Sequence, residues 1–535
     1  MKSKIKKILI TIMIVFFLTS SVNAIQTQKT TNNEKINIIK SENMDDYDPL
    51  IDNEITITIE KIRAFEKFDK IKDPDFYIKI IIDETEYKSP IWKNQKYVKP
   101  NWIVNHDIQE NQEYVNIIIQ LWESNIGLDK KCDLTLNEMW NKNFYDAEIT
   151  YDVKTGHWFG ADENVPVPPT SSDKSGYGRL NGCDDGSVYE EDHDCEIWFD
   201  ITLNDYDEDG IPYWTEVNLY NTDPEVDNTG EDLDCDGIPI EWEFEYGIYY
   251  YWSRYPNIIY SPNRWEDHKN LDPDNDGLDN TEEYLTWIWE SDPFRKDIFL
   301  EIDEMEVGPN GEGALTPVET YDILYNRYAK HNIVLHVDTF HEDIMPFGEL
   351  IPFDDNISRN EGDLQDIYDE YFLDDGSNNW KRGVFHYGII DYHCFEYPGF
   401  VWGSSFEGDS YRLDSFQISK DFHDTFPFEN KPLITKIIRK VTNPYNSPRA
   451  VVYAGAIMHE SGHTLGLFSS NVPGVDYGDF GTIIALIQWF PFRHYKSVMN
   501  YGYTYSFIDY SNGKNGKFDH DDWSNLDLTL FETDR

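Results

Sequence analysis

Between residues 201 and 295 one loop pattern recurs three times, and it limits this chain to folds that can hold cations. The copies are Asp205, Asp207, Asp209 and Gly210 with Glu216; Asp232, Asp234, Asp236 and Gly237 with Glu243; and Asp272, Asp274, Asp276 and Gly277 with Glu283. Each puts three carboxylates on alternate residues, a glycine where the chain must bend sharply, and a glutamate whose two oxygens can close the shell. Carboxylates this close repel one another unless a hard cation sits among them, and Ca²⁺ is the ion that accepts about six to eight oxygens. Ile211, Ile238 and Leu278 follow the glycines and are placed to anchor each loop in a small core.

The spacing is that of EF-hand-type loops, and the flanking Thr222-Asp223-Pro224 and Ser291-Asp292-Pro293 resemble thrombospondin type 3 and related extracellular calcium repeats. The resemblance implies a calcium-stiffened stalk between two domains, with folding coupled to ion binding. The charge agrees: 100 acidic residues against 45 basic give a net −55, which excludes nucleic acid as a partner because phosphates are repelled. Hydrophobic content of 40% is enough to build real cores, so this is not a disordered acidic chain.

A second motif carries chemistry. In Met458–Leu467, MHESGHTLGL, His459 and His463 stand four apart and share one face of a helix, where they can grip a single ion. Glu460 beside them can act as a general base. Ser447 at the N-cap, Pro448 at the first helical position and the apolar run AVVYAGAIM predict that helix, and Gly466 predicts its left-handed end. Together with Ser497–Tyr501, SVMNY, these residues resemble the zinc site of the metzincin metalloproteases. Gly466 falls where the HExxHxxGxxH signature has its glycine, Met499 matches the Met-turn methionine, and Tyr501 the tyrosine that follows it in the astacin- and serralysin-like branches. The resemblance implies Zn²⁺ held by His459 and His463, Glu460 as base for water attack on a peptide carbonyl, and a secreted endopeptidase with protein or peptide substrates.

One position departs from the family. Its third ligand falls at Ser469, and serine is a poor zinc ligand. Asp476, Asp479, His494 and Asn471 are the substitutes within reach. Asp476 is favoured because PGVDYG loosely resembles the aspartate-ligand loop of the aspzincins. The missing histidine also supports an alternative, a calcium-stabilised surface or adhesion protein with a non-catalytic protease-like domain; the intact Glu460 argues against it.

The remaining segments predict a multidomain chain. Residues 1–24 read as a secretory signal, with lysines, an apolar core and Val22-Asn23-Ala24 as the cleavage site, so the protein is expected outside the cell or at its surface. Residues 25–48 read as a flexible linker or pro-segment. Residues 49–160 hold runs of β-branched residues that predict an antiparallel β-sandwich. Their order resembles the calcium- and phospholipid-binding sandwich of the synaptotagmin type, which places Asp69, Asp73, Asp75 and Asp129 in its loops. Membrane docking and a purely structural sandwich both stay open. Residues 161–200 read as a connector closed by a Cys183–Cys195 disulfide. Residues 296–535 predict an α+β zincin-type domain, with His336, His341, His386 and His393 as packed or exposed histidines. Asp519, Asp521 and Asp522 read as a further calcium site or as caps of a final helix.

Overall fold

The computed structural model describes residues 53–530 apart from 66–67, 69–71, 110, 126, 136–144, 162–176, 183–192, 204, 248–259, 341–346, 356, 358–362, 394–413, 430–447 and 478–486. The signal and linker, Asp69, Cys183, His341, Ser447 and Asp479 therefore lie outside the described residues. Among the described residues no helix is long and apolar enough to cross a membrane. Backbone proximity separates a small unit, residues 1–54 with 107–112, from a large one formed by the rest. In the small unit the Ile108 amide donates to the Asn53 carbonyl (2.8 Å).

The N-terminal strands build two sheets. One contains β1 (Glu54–Ala64), β4 (Tyr97–Val98), β5 (Trp102–Asp107), β10 (Tyr177–Asn181) and β11 (Cys195–Leu203), ordered β10-β11-β1-β4 with β5 also on β1. The other contains β2 (Phe76–Ile82), β3 (Thr85–Lys88), β6 (Tyr114–Glu123), β7 (Lys130–Lys131), β8 (Ala147–Asp152) and β9 (His157–Gly160), ordered β3-β2-β6-β8-β9 with β7 on β6. Alternation explains β1: Ile55, Ile57 and Ile59 point inward, and a bulge between Ile59 and Lys61 shifts the phase so that Ile62 and Ala64 point inward too.

The sandwich is longer than its sequence boundary. The stretch read as a connector supplies β10 and β11, and β11 pairs antiparallel with β1 from Ile55–Leu203 to Ala64–Cys195. The Pro/Gly/Asp-rich composition around these strands hid them. Cys195 is buried at the start of β11. The loop aspartates are occupied locally. Asp75 accepts from the Asn94 amide (2.8 Å) and Lys72 (2.8 Å), and Asp129 from the Asn125 amide (3.0 Å) and the Tyr77 hydroxyl (2.9 Å). That arrangement favours a structural role for these loops.

The acidic repeats follow as loops leading into short helices: α1 (Tyr213–Thr215, continuing helically to Tyr220), α2 (Ile240–Tyr246) and α3 (Asn280–Thr286). Ile211, Ile238 and Leu278 are all buried, as the pattern requires. Leu278 packs in one cluster with Trp289, Phe299 and Phe385, so the third loop belongs to the core of the C-terminal domain. The expected free-standing stalk is therefore absent. The sandwich touches the C-terminal domain directly: Asn181 donates to the Ala329 carbonyl (2.5 Å), and Lys61 pairs with Glu290.

The C-terminal domain is built on β12 (Lys296–Met305), β13 (Ile333–Thr339), β14 (Leu350–Ile351), β15 (Phe385–Asp391) and β16 (Ser415–Ser419). Their order is β13-β12-β15-β16, all paired in parallel, with β14 on the end of β12. Helices α4 (Glu319–Ala329), α5 (Asp363–Ile367), α6 (Lys420–Glu429) and α7 (Pro448–Thr464) accompany the sheet, with β17 (Pro473–Asp476) beyond α7. Among the described residues the segment after Asp519 holds a single turn, Trp523–Asn525, rather than a final helix, and Asp522 accepts from the Tyr495 hydroxyl (2.9 Å) and the Ser511 amide (3.0 Å). Asp519 and Asp521 likewise bond to Ser511 and Ser524.

Carboxylates line the C-terminal half of this sheet. Glu301, Asp303, Glu304, Asp338 and Asp391 are buried, while Lys381 and Lys420 answer only Glu301 (2.6 Å) and Glu304 (3.0 Å). Burial pushes Asp303, Asp338 and Asp391 up to about 7 each. A carboxyl raised on folding contributes stability below its unfolded value near 4, and that contribution is lost as pH rises through 7. Asp391→Asn keeps an oxygen for the Gln417 amide and never ionises. It is expected to match wild type near pH 4 and to be more stable near pH 8 by on the order of 2 kcal/mol. Urea unfolding at both pH values, with ions held constant, checks this; an unchanged difference between the two would refute it.

Candidate metal centres

Helix α7 is buried on nearly every side from Ala450 to Thr464, so its apolar run fixes it firmly in the domain. It begins at Pro448, as the sequence predicts. It ends in a paired-bond stop: the Leu467 amide donates to the Gly462 carbonyl (2.9 Å) and the Gly466 amide to the His463 carbonyl (3.1 Å), with Gly466 at φ +88°. That stop turns the chain back under the motif. At Gly462 a side chain would collide with the Met499 thioether, so glycine in HESGH lets Met499 sit beneath the histidines.

The two imidazoles are oriented from behind. His459 Nδ1 lies 2.9 Å from the Val498 carbonyl and His463 Nδ1 2.7 Å from the Leu467 carbonyl. Each Nδ1–H donates there, which leaves each Nε2 lone pair facing forward. Both Nε2 atoms face Asp476 Oδ1, at 3.3 Å from His459 and 3.5 Å from His463. These separations are long for N–H···O bonds. Ligand atoms about 2.0–2.1 Å from a tetrahedral zinc ion lie about 3.3 Å apart, so both separations from Asp476 match edges of such a site, and the three atoms lie within 4.8 Å of one another. Asp476 adopts a left-handed backbone (φ 62°), held by its amide donating to the Met499 carbonyl (3.0 Å). The two imidazoles hold its carboxyl below the usual range despite burial.

Glu460 is buried beside His459, its Oε2 has no hydrogen-bond partner, and burial pushes its carboxyl up to about 8. The Tyr501 ring stacks on His459 (5.0 Å between centroids), and burial, then Asp476 and Glu460, raise its hydroxyl far above the ordinary value. Phe468 stacks on His463 (5.8 Å), a contact no sequence signal announced.

Of the other proposed third ligands, Asn471 is committed elsewhere. Its amide donates to the Gly466 carbonyl (2.7 Å) and its oxygen accepts from the Phe468 amide (2.9 Å), which locks the end of α7. His494 lies in the turn before the Met-turn, against Gly516. Ser469 is exposed. The remaining histidines pack as expected: His336 Nε2 meets Asp297 (2.6 Å), His393 meets Asp421 (2.5 Å) and His386 is buried.

The acidic loops form separate centres. Asp205, Asp207, Asp209 and Glu216 converge, as do Asp232, Asp234 and Asp236, and Asp272, Asp274 and Asp276, each group with oxygens within 4.8 Å. The glutamates project from the first turn of each following helix; Glu283 is buried behind Asp279, whose carboxylate caps α3. Neither Asp207 nor Asp234 has a hydrogen-bond partner on either side-chain oxygen. Burial, reinforced by neighbouring carboxylates, pushes Asp205 to about 7, Asp209 to about 6 and Glu216 to about 8, and holds Asp274, Asp276 and Glu283 well above normal. Such groups lack counter-charge, which a divalent cation such as Ca²⁺ would supply.

No family model matches the chain, and no curated protein matches it. Among solved structures, a C2 domain aligns with 28% of this chain and 98% of its own at 10% identity, TM-score 0.18. A C2 domain of a plant extended synaptotagmin 1 aligns with 29% of this chain and 95% of its own at 11% identity, TM-score 0.18. A human GIVD cytosolic phospholipase A2 aligns with 29% of this chain at 12% identity, TM-score 0.18, over only 17% of the enzyme. The likeness is to C2-type β-sandwiches over part of the chain and bears on neither activity nor ligand.

Because the third loop shares the core of the C-terminal domain, calcium is expected to raise the unfolding temperature of that domain itself. At about 100 times the dissociation constant the gain is about 2.7 kcal/mol per site. Calorimetry in chelator and in calcium reads this; a shift confined to the sandwich would rule it out.

Proposed function

We propose that the protein is a zinc-dependent endopeptidase whose acidic loops bind calcium, exported from the cell. The carrying observation is the convergence of His459 Nε2, His463 Nε2 and Asp476 Oδ1, with the unpartnered Glu460 oxygen alongside. Zinc bound there would supply a Lewis acid that polarises a peptide carbonyl and activates water for attack. Glu460, next to His459 and with its Oε2 unpartnered, would accept the proton from the attacking water and return it to the leaving amine. Val498 and Leu467 hold the two imidazoles in the ligating tautomer. Tyr501 stays protonated, so its hydroxyl remains a donor at the edge of the site.

The competing reading, a calcium-bound surface protein with a relic site, rested on the serine at 469. Asp476, with Oδ1 at 3.3 and 3.5 Å from the two imidazoles, offers a third donor in place of that serine and supports the catalytic reading over the relic. Docking to a phospholipid surface rests on the sandwich alone, and the engaged Asp75 and Asp129 give it no support.

Metal analysis and casein hydrolysis on the mature chain in calcium test the proposal. Wild type is expected to retain zinc and cleave casein. Glu460→Gln should retain zinc and lose activity by about 10²–10⁴-fold. Asp476→Ala should lose zinc and activity together. A wild type that holds only calcium and cleaves nothing would reverse the assignment in favour of the relic.

A further inference from the structure

The second acidic loop differs from the other two in one side chain. The first loop gathers Asp205, Asp207, Asp209 and Glu216 and the third Asp272, Asp274 and Asp276, all oxygen donors. In the second, Asp236 and Glu243 also meet His268, with potential ligand atoms within 4.8 Å of one another. His268 and Glu243 are 1% and 0% exposed, and neither Glu243 oxygen has a hydrogen-bond partner. A carboxylate so placed is costly unless a cation answers it.

The imidazole faces the carboxylates: His268 Nε2 lies 3.1 Å from Asp236 Oδ2, and Nδ1 lies 3.0 Å from the Asn280 amide nitrogen. The Asn280 oxygen accepts from the Tyr260 hydroxyl (3.4 Å); rotating that amide as an ion binds would bring its oxygen to Nδ1–H and free Nε2 to ligate. The Trp242 and Tyr260 rings, with centroids 5.8 and 5.3 Å away, fix the imidazole plane.

Calcium prefers an all-oxygen shell, whereas imidazole with carboxylates suits zinc and its neighbours. We propose that the second loop binds a zinc-class divalent ion through Asp236, Glu243 and His268, leaving the first and third loops to calcium. The ion would tie the second loop to the turn His268–Asn270, which leads directly into Asp272 of the third. Asp236 already accepts from the Glu266 amide (3.1 Å) in that returning segment.

The test is a zinc count on full-length mature chain, stripped and then dialysed against zinc with calcium in excess, for wild type and His268→Gln. Two zinc ions per wild-type chain and one in the variant support the proposal. One and none support it equally, and would instead remove zinc from helix α7. Equal counts in the two proteins overturn it. Far-UV circular dichroism in calcium checks that His268→Gln folds; if it does not, Glu243→Gln, which leaves the imidazole packing in place, decides by the same count.

Discussion

The structure depends on an imbalance of buried charge. Between residues 205 and 297 the chain packs aspartates and glutamates against one another with few cations among them, and burial raises the most enclosed of these groups. Unfavourable in isolation, the arrangement is consistent in the presence of bound ions, which makes ion binding part of the folding free energy. The geometry also spreads the effect. The third aspartate of each loop reaches a backbone amide downstream: Asp209 to Asn228 (3.2 Å), Asp236 to Glu266 (3.1 Å) and Asp276 to Asp297 (2.6 Å). Each loop thereby holds the segment that follows it.

The last of these links enters the C-terminal domain. Asp297 stands on β12, the second strand of the parallel sheet, and its carboxylate meets His336 on the neighbouring β13. The ion-binding region and the sheet under the candidate catalytic helix are therefore one packed body. A flexible stalk would isolate loop stability from the zinc-type site; direct packing couples the two.

Much of this was legible in the sequence because local chemistry and tertiary role agreed. HESGH with its apolar approach and Gly466 specified a helix, its end and the direction of two imidazoles. The isoleucine or leucine after each loop glycine specified an anchor. Asp476 could be named because PGVDYG loosely resembles the aspartate-ligand loop of the aspzincins. What escaped notice depended on contacts distant in sequence. Strands β10 and β11 are separated by a polar stretch of sequence, and only pairing with β1 reveals them as sandwich strands. Nothing in the sequence singles out His268, whose proximity to Glu243 is set by the return of the chain past Asp236. The buried carboxylates of β12, β13 and β15 look, in sequence, like the polar half of alternating strands, because nothing local shows that both faces of a parallel sheet are covered.

The two kinds of centre should respond differently to loss of ions. In the HESGH site the groups are complementary: without metal, an imidazole that takes a proton on Nε2 faces the ionised Asp476 carboxylate as a cation, so attraction keeps the cluster assembled. In the first and third loops the groups are alike, and removing the cation leaves only repulsion and desolvation, relieved by taking up protons. Chelation therefore acts first on the loops, and through Asp276 and Asp297 on β12, before it disturbs the arrangement of His459, His463 and Asp476. With the loops loaded as proposed, bound cations would hold the segment leading into β12, while the arrangement of His459, His463 and Asp476 rests on the protein's own hydrogen bonds.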